Sequence, residues 1–320
     1  MEERIDLTAF SERISEIRTS ISDIVVGQQQ AIDLVLTAIL ADGHVLIEGV
    51  PGVAKTLLAR LVSRLVDARF QRIQFTPDLM PSDVLGTTVF NMKTSEFDFH
   101  PGPVFADIVL VDEINRAPAK TQAALFEVME ERQATVDGTT HKMGPLYTIL
   151  ATQNPVEQEG TYKLPEAQLD RFMMKITMGY PSEAEEVEVL RRHQARISFV
   201  KLDDVKPVIT QAELLQLRRL MADVVVDNSL LQYIAAIVGQ TRNSKAVYLG
   251  ASPRASVAIL QASKAFALLQ GRDFVTPDDI KTVTPSVLQH RLVLTAEAEM
   301  EGYTALKVAQ RLIDKVEVPK

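Results

Sequence analysis

His44-Val45-Leu46-Ile47-Glu48 runs into Gly49-Val50-Pro51-Gly52-Val53-Ala54-Lys55-Thr56, and that into Leu57-Leu58-Ala59-Arg60-Leu61-Val62. The first run is apolar and short enough for a buried strand, and the last carries apolar residues at helical spacing. A glycine-rich turn between the two leaves backbone N–H groups facing one concavity, beside a helix N-terminus whose dipole favours an anion. That is the setting a phosphate-binding loop requires. Lys55 is placed to reach the β- and γ-phosphates as a mobile point charge, and the Thr56 hydroxyl to give one oxygen to Mg²⁺. The usual pattern G-x-x-x-x-G-K-[ST] has glycine where this chain has Ala54, a departure that matters only if the position needs positive φ. The competing reading is a Gly/Pro turn that holds nothing.

A second stretch supports the first. Ile108-Val109-Leu110-Val111-Asp112-Glu113 is a β-branched run ending in adjacent carboxylates, which predicts a buried parallel strand delivering acids at its C-terminal edge, where a doubly wound sheet binds ligands. Asp112 is expected to hold Mg²⁺ through water, and Glu113 to polarise the water that attacks the γ-phosphate. The bland alternative is a solvated acidic turn.

Composition sets the outer bounds. With 320 residues, 46% of them hydrophobic, the chain has room for two domains and a large core. The absence of cysteine excludes disulfides and thiolate metal sites and fits a reducing compartment. Met1 to Asp6 is acidic without an apolar signal core, and no apolar run approaches membrane-spanning length, so a soluble cytoplasmic protein is expected. A net charge of -8 weighs against general affinity for nucleic acid, although a local basic channel in an oligomer stays open. The histidines at 44, 100, 141, 193 and 290 show no paired ligand spacing, so a catalytic transition metal is not expected.

In chain order, Thr8 to Ser22 has Phe10, Ile14, Ile17 and Ile21 at helical spacing, and a second helix runs from Gln29 to Leu40. Ile24 to Gly27, between them, suits a wall for an adenine ring or plain core packing. Phe70 to Phe75 alternates as a strand. The irregular stretch Leu79 to Asp107 exceeds what a crossover needs, which predicts one extra hairpin or short helix. A helix opens at Pro118, and Ala134 to Lys142 predicts a hairpin turning at Asp137-Gly138. Leu146 to Ala151 is a further strand delivering Thr152-Gln153-Asn154-Pro155 to the same sheet edge. Asn154 there either orients the attacking water or forms a turn. A short helix, Pro165 to Leu169, precedes a fifth strand, Met173 to Met178. From Pro181 onward helical stretches follow: Glu183 to Arg196, Gln211 to Val225, Ser229 to Thr241, Pro253 to Gln270, Pro277 to Thr282 and Ala296 to Ile313. The fold expected is α/β: a five-stranded parallel P-loop core over 1–181 and a C-terminal all-helical lid over 182–320.

These residues resemble the MoxR subgroup of AAA+ ATPases, in the helix-2-insert branch that also holds magnesium-chelatase motor subunits and replicative helicases. Val26-Gly27-Gln28 resembles the adenine-side box, Gly49 to Thr56 the Walker A loop in its form with alanine before lysine, and Asp112 to Ala117 the Walker B segment. Thr152 to Pro155 resembles sensor 1, Leu164 to Phe172 the segment carrying the arginine finger at Arg171, and Ser252-Pro253-Arg254-Ala255 sensor 2. The stretch before the acids would be the helix-2 insert, and the Asp137-Gly138 hairpin the insertion before sensor 1.

The resemblance implies a nucleotide site made from Val26, Gly27, Gly49, Val50, Pro51, Gly52, Val53, Ala54, Lys55, Thr56, Leu57, Asp112 and Arg254. It implies catalytic roles for Lys55, Glu113, Asn154, Arg171 and Arg254, and metal ligation by Thr56 and Asp112, with ATP and Mg²⁺ as cofactors. It further implies a ring, usually a hexamer, that remodels protein clients, often with a von Willebrand factor A domain protein. Arg171 can alternatively pair with Glu166 or Asp170, and Arg254 can simply cap a lid helix. Three functions compete: an ATP-driven chaperone, a nucleic-acid or magnesium-chelatase-like motor, and a nucleotide-gated scaffold that hydrolyses slowly. The acidic balance weighs against nucleic acid, and an intact Glu113 and Asn154 against the scaffold.

Overall fold

The structure, a computed structural model, describes residues 7–154, 162–195 and 202–319. Pro155, at the end of the sensor-1-like stretch, and Arg196, the expected end of a helix, lie outside them. Five parallel strands form the central sheet: β1 (Val45–Gly49), β2 (Phe70–Gln74), β5 (Ile108–Asp112), β8 (Thr148–Gln153) and β9 (Met174–Met178), in the order β2-β5-β8-β1-β9. In β1, Val45 lies level with Leu150 of β8 and Met174 of β9. All strands therefore end on one edge.

Around the sheet lie α1 (Thr8–Ser22), α2 (Gln29–Leu40), α3 (Lys55–Leu65) and α5 (Ala119–Glu131). Alternation along each strand sends side chains to two separate cores. Val45, Ile47, Ile108 and Leu110 join the core built with α1, α2 and α3, while Leu46, Val109, Val111 and Ile149 join the one built with α5. The elaborated crossover contains both a short helix, α4 (Pro81–Leu85), and a hairpin, β3 (Gly86–Asn91) with β4 (Glu96–Pro101). A second hairpin, β6 (Gln133–Val136) with β7 (Thr139–Lys142), turns at Asp137 and Gly138, both at positive φ. α6 (Glu166–Leu169) leads into β9.

The C-terminal region is built from α7 (Glu183–Gln194), α8 (Gln211–Leu220), α9 (Asn228–Asn243), α10 (Pro253–Leu269), α11 (Pro277–Leu288), α12 (Ala296–Met300) and α13 (Ala305–Asp314). A short antiparallel pair, β10 (Val247–Leu249) with β11 (Val293–Leu294), adds to the helical pattern. Three helix limits differ from the sequence reading, the first being α8, which stops at Leu220 before a 3-10 turn at Met221–Asp223, short of the expected Val225. α11 continues past Thr282 through Pro285, because Val283, Val287 and Leu288 are buried and that packing outweighs the lost backbone hydrogen bond. The expected helix from Ala296 to Ile313 divides at Gly302, whose φ of 80° stops α12, and Thr304 then caps α13 by accepting from Lys307 N. One buried apolar cluster includes residues from both sides of position 181. Ala255, Ile259 and Ala262 of α10 belong to the same buried cluster as α2, and the small alanines allow close approach of the two helices.

No described helix is long and apolar enough to cross a membrane. Below β1, His44 is fully enclosed: its Nδ1 accepts from Ile149 N at 3.0 Å, so Nε2 carries the proton toward Met129 O at 3.2 Å. Burial, with Arg132 and Arg218 nearby, lowers its pKa to about 3, against the Met129 carbonyl. His290 is shifted in the same direction, chiefly by burial and then by Arg291. The unfolded chain takes up a proton on His44 near pH 6.5, whereas the native chain does not until about 3, so stability falls as pH drops through that window. Between pH 7 and 5 the His44 contribution to the loss is about 2 kcal/mol. Urea unfolding at the two pH values checks this, and equal midpoints would show that neither ring is held neutral.

Candidate functional site

Gly52 and Ala54 have φ of 89° and 62°, so the turn between β1 and α3 alternates through left-handed residues and gathers its N–H groups as an anion nest does. Ala54 therefore occupies the conformation that glycine favours. Gly49 is needed for a different reason: a Cβ there would lie 2.6 Å from the Met178 carbonyl oxygen on β9. Lys55 opens α3, and its Nζ donates to the Gly49 carbonyl, folding the ammonium back across the loop. Thr56 and Leu57 follow in the first turn, half-buried, with Val53 buried, Val50 packed against the core and Pro51 and Gly52 exposed.

On the same edge β5 delivers Asp112, 6% exposed, and Glu113, which follows at φ 57°. The left-handed turn at Glu113 separates the directions of the two carboxylates. Asp112 Oδ1 accepts from Thr152 Oγ1 at 3.0 Å and Oδ2 from Arg72 Nε at 2.6 Å. Thr152 Oγ1 in turn accepts from Glu113 N at 3.0 Å, locking β8 to the acidic turn. Glu113 Oε2 meets Gln74 Nε2 at 2.9 Å and Arg116 Nε at 3.0 Å. Arg72 also donates to Gln74 Oε1 at 3.1 Å, so two alternate residues of β2 form one network under both acids. Asn154 follows β8 and is buried beside this edge. Val25 is core, whereas Val26 and Gly27 are more exposed, and Gln28 Nε2 donates to Gly179 O at 3.1 Å just past β9. That bond brings the Val26-Gly27 turn to the edge where the phosphate loop lies.

Arg171 and Arg254 lie elsewhere. Met173 N donates to His44 O at 2.9 Å, so Asp170-Arg171-Phe172 sits before β9, beyond the N-terminal end of β1. Four strand steps of roughly 3.3 Å separate the level of Val45 from that of Gly49, or about 13 Å along the sheet. Arg171 Nη1 donates to Phe126 O at 2.6 Å and stands 3.7 Å from Glu130 Oε2. Arg254, at the start of α10, reaches the other oxygen of Glu130 at 3.1 Å and Asp170 at 3.9 Å. Both arginines thus converge on one carboxylate at the end of α5, on the edge opposite the loop. Arg171 pairs with neither Glu166 nor its neighbour Asp170, and Arg254 holds acids of the core instead of a helix end.

Residues 44–174 match the ATPase family associated with various cellular activities (AAA), and 239–315 match the AAA lid domain. A Mycobacterium tuberculosis protein named chaperone MoxR1 is 44% identical over 93% of this chain and 80% of its own length. The chain belongs to the MoxR family of AAA ATPases. An uncharacterised Bacillus subtilis protein, YeaC, is 48% identical over 93% of this chain and 92% of its own. A crystal structure from Cytophaga hutchinsonii, of a protein proposed to be an ATPase, superposes with a TM-score of 0.89 at 40% identity over 98% of this chain and 97% of that one.

For a MoxR-family chain the arrangement fits nucleotide with Mg²⁺. Among the described residues no group of three or more His, Cys, Asp or Glu could hold a metal alone, and magnesium that takes phosphate oxygens and keeps waters needs only one or two protein ligands. Thr56 and Asp112 would hold it at the loop edge. Sequence reasoning missed Arg72 and Gln74, which meet Asp112 and Glu113. Alternation put both on one face of β2, but only the strand order sets that face beside the acids. Because Ala54 holds a left-handed conformation that costs alanine about 1 to 2 kcal/mol, and glycine returns part of that in the unfolded chain, Ala54→Gly is expected to raise stability by up to about 1 kcal/mol. Thermal unfolding without nucleotide measures it.

Proposed function

We propose that this chain binds ATP and Mg²⁺ on the C-terminal edge of the sheet, hydrolyses ATP within a ring taken as hexameric, and uses the cycle to remodel protein clients in the cytoplasm. The core, 1–181, then carries the nucleotide, and the lid, 182–320, packs against it, with Glu185 of α7 beside the Gly27 turn. Bound Mg²⁺ would neutralise charge on the β- and γ-phosphates. Lys55 would leave the Gly49 carbonyl for the γ-phosphate, since a mobile ammonium exchanges one acceptor for another at little cost. Glu113, oriented by Gln74 and Arg116, would polarise the attacking water, with Asn154 beside it.

The observation that carries the ring reading is the distance of Arg171 and Arg254 from their own phosphate loop. Two guanidiniums pointed at one acid on the far flank form a ready anion site. A neighbour presenting its γ-phosphate there would complete the catalytic set, so both arginines act in trans. The M. tuberculosis relative, named a chaperone, supports a protein client, as does the net charge of -8 against nucleic acid. A von Willebrand factor A domain protein is the partner class that the family resemblance suggests.

Lys55→Ala is expected to abolish tight ATP binding, whereas Glu113→Gln should keep it and lower turnover by about 10² to 10⁴. Calorimetry with a phosphate-release assay separates the two, and unchanged affinity in Lys55→Ala would remove the phosphate-loop assignment. Arg171→Ala should bind ATP normally and lose about 10³ to 10⁵ in rate. Mixed with Lys55→Ala subunits it should regain activity, because one interface then joins an intact loop to an intact finger. Mixed rings that form but stay inactive would place Arg171 outside the neighbour's site.

A further inference from the structure

We infer that Arg291, just after α11, is a positioning residue for Arg171, so that each subunit's lid sets the geometry of the finger offered to its neighbour. The inference rests on the trans reading above. The Arg291 side chain is only 5% exposed, and its guanidinium encloses the segment that carries Arg171. Nε donates to Asp170 Oδ1 at 2.7 Å, and Nη2 to Asp170 O at 3.3 Å and Phe172 O at 2.8 Å. Nη1 donates to Met173 O at 3.0 Å and Val287 O at 2.6 Å. The carbonyls on both sides of Arg171 are therefore held by one planar fork, and His290 Nε2 meets Phe172 O again at 3.0 Å.

A fork with five donors suits this task because its directions are fixed, whereas an ammonium would satisfy three acceptors without fixing a plane. Burial of the guanidinium lowers its pKa, opposed by Asp170, so the side chain is desolvated against the segment it holds. The same acid links the second arginine: Arg254 lies 3.9 Å from Asp170 Oδ2 while Arg291 takes Oδ1. The Arg171 side chain adds the Phe126 carbonyl and the longer Glu130 contact, and its backbone N–H donates to Gln168 O at 3.2 Å. The backbone N–H groups of 170–172 are held by the α6 turn, and the Asp170 and Phe172 carbonyls on either side of Arg171 by Arg291. Since this cluster lies on the edge away from the subunit's own loop, loosening it should spoil the finger donated outward and spare the nucleotide bound within.

The test is complementation with full-length rings. Arg291→Lys alone should bind a non-hydrolysable ATP analogue within about twofold of wild type, yet lose kcat on the order of 10²-fold, the cost of misplacing a catalytic group by about 1 Å. Mixed with Lys55→Ala, it should regain activity, because its own loop is intact and the partner's finger is intact. Mixed with Arg171→Ala, it should regain none, since both variants fail as donors. If Arg291→Lys melts too low for assay, Asp170→Asn takes its place, with the same expected pattern. A loss of ATP affinity that matches the loss of kcat, or recovery with Arg171→Ala, would overturn the positioning role. Failure of the Arg171→Ala and Lys55→Ala pair to recover would bring down the trans reading, and this inference with it. Recovery of that pair without recovery of Arg291→Lys beside Lys55→Ala would overturn the inference alone.

Discussion

The pairing of β1 between β8 and β9 is the constraint on which the remaining geometry depends. Parallel pairing forces every connection to return across the sheet, so each strand ends on the same side and each begins on the other. Gly49, Asp112, Gln153 and Met178 are consequently gathered without any contact between their side chains needing to form first. The same rule sends Asp170-Arg171-Phe172 to the opposite side, because that segment feeds the start of β9. Separation of the phosphate loop from the arginines therefore follows from strand polarity and from no special feature of the loops.

At the acidic end the sheet faces an electrostatic problem, since adjacent carboxylates at a strand terminus repel. The chain answers with geometry and with charge. A left-handed residue at Glu113 turns its side chain away from Asp112, and Arg72, Gln74, Arg116 and Thr152 divide their hydrogen bonds between the two. The partners differ in kind. Asp112, nearly buried, receives a guanidinium and a hydroxyl, while Glu113, about a third exposed, keeps access to solvent. In the proposed mechanism a carboxylate that polarises water needs that access, and one that faces a cation needs to be held still.

Much of this was legible in the residues. The glycine-rich turn, the acids ending a β-branched run and the strand-end asparagine each carry a local signal, and their shared edge follows once the strands are parallel. The departure at Ala54 was visible too, but whether it mattered depended on a φ value that no pattern encodes. Arg72, Gln74 and Arg291 were not legible, because each acts through a neighbour set by strand order or by lid docking, at sequence separations of 39 to 121 residues. Helix limits failed where tertiary burial overrode a local stop, at Pro285, and where a glycine took a left-handed turn inside an otherwise helical pattern, at Gly302.

The lid is joined to the core in a way that limits how nucleotide can move it. α10 packs on α2 through alanines within one continuous buried cluster, so hinge motion between them would open close-packed apolar surface. Arginines then fasten the lid at the N-terminal edge: Arg218 of α8 donates to Ile39 O at 2.6 Å and meets Asp42 at 2.7 Å, while Arg291 holds the Asp170–Phe172 segment. All of these contacts lie away from the phosphate loop. The lid also reaches the loop edge, where Arg192 of α7 donates to Ser22 O at 2.9 Å and to Asp23 O at 2.6 Å and Glu185 lies against Gly27, so a ligand beside that turn meets the lid of its own subunit directly. At the other edge the lid is tied to the core through Arg254, which shares the Glu130 carboxylate with Arg171.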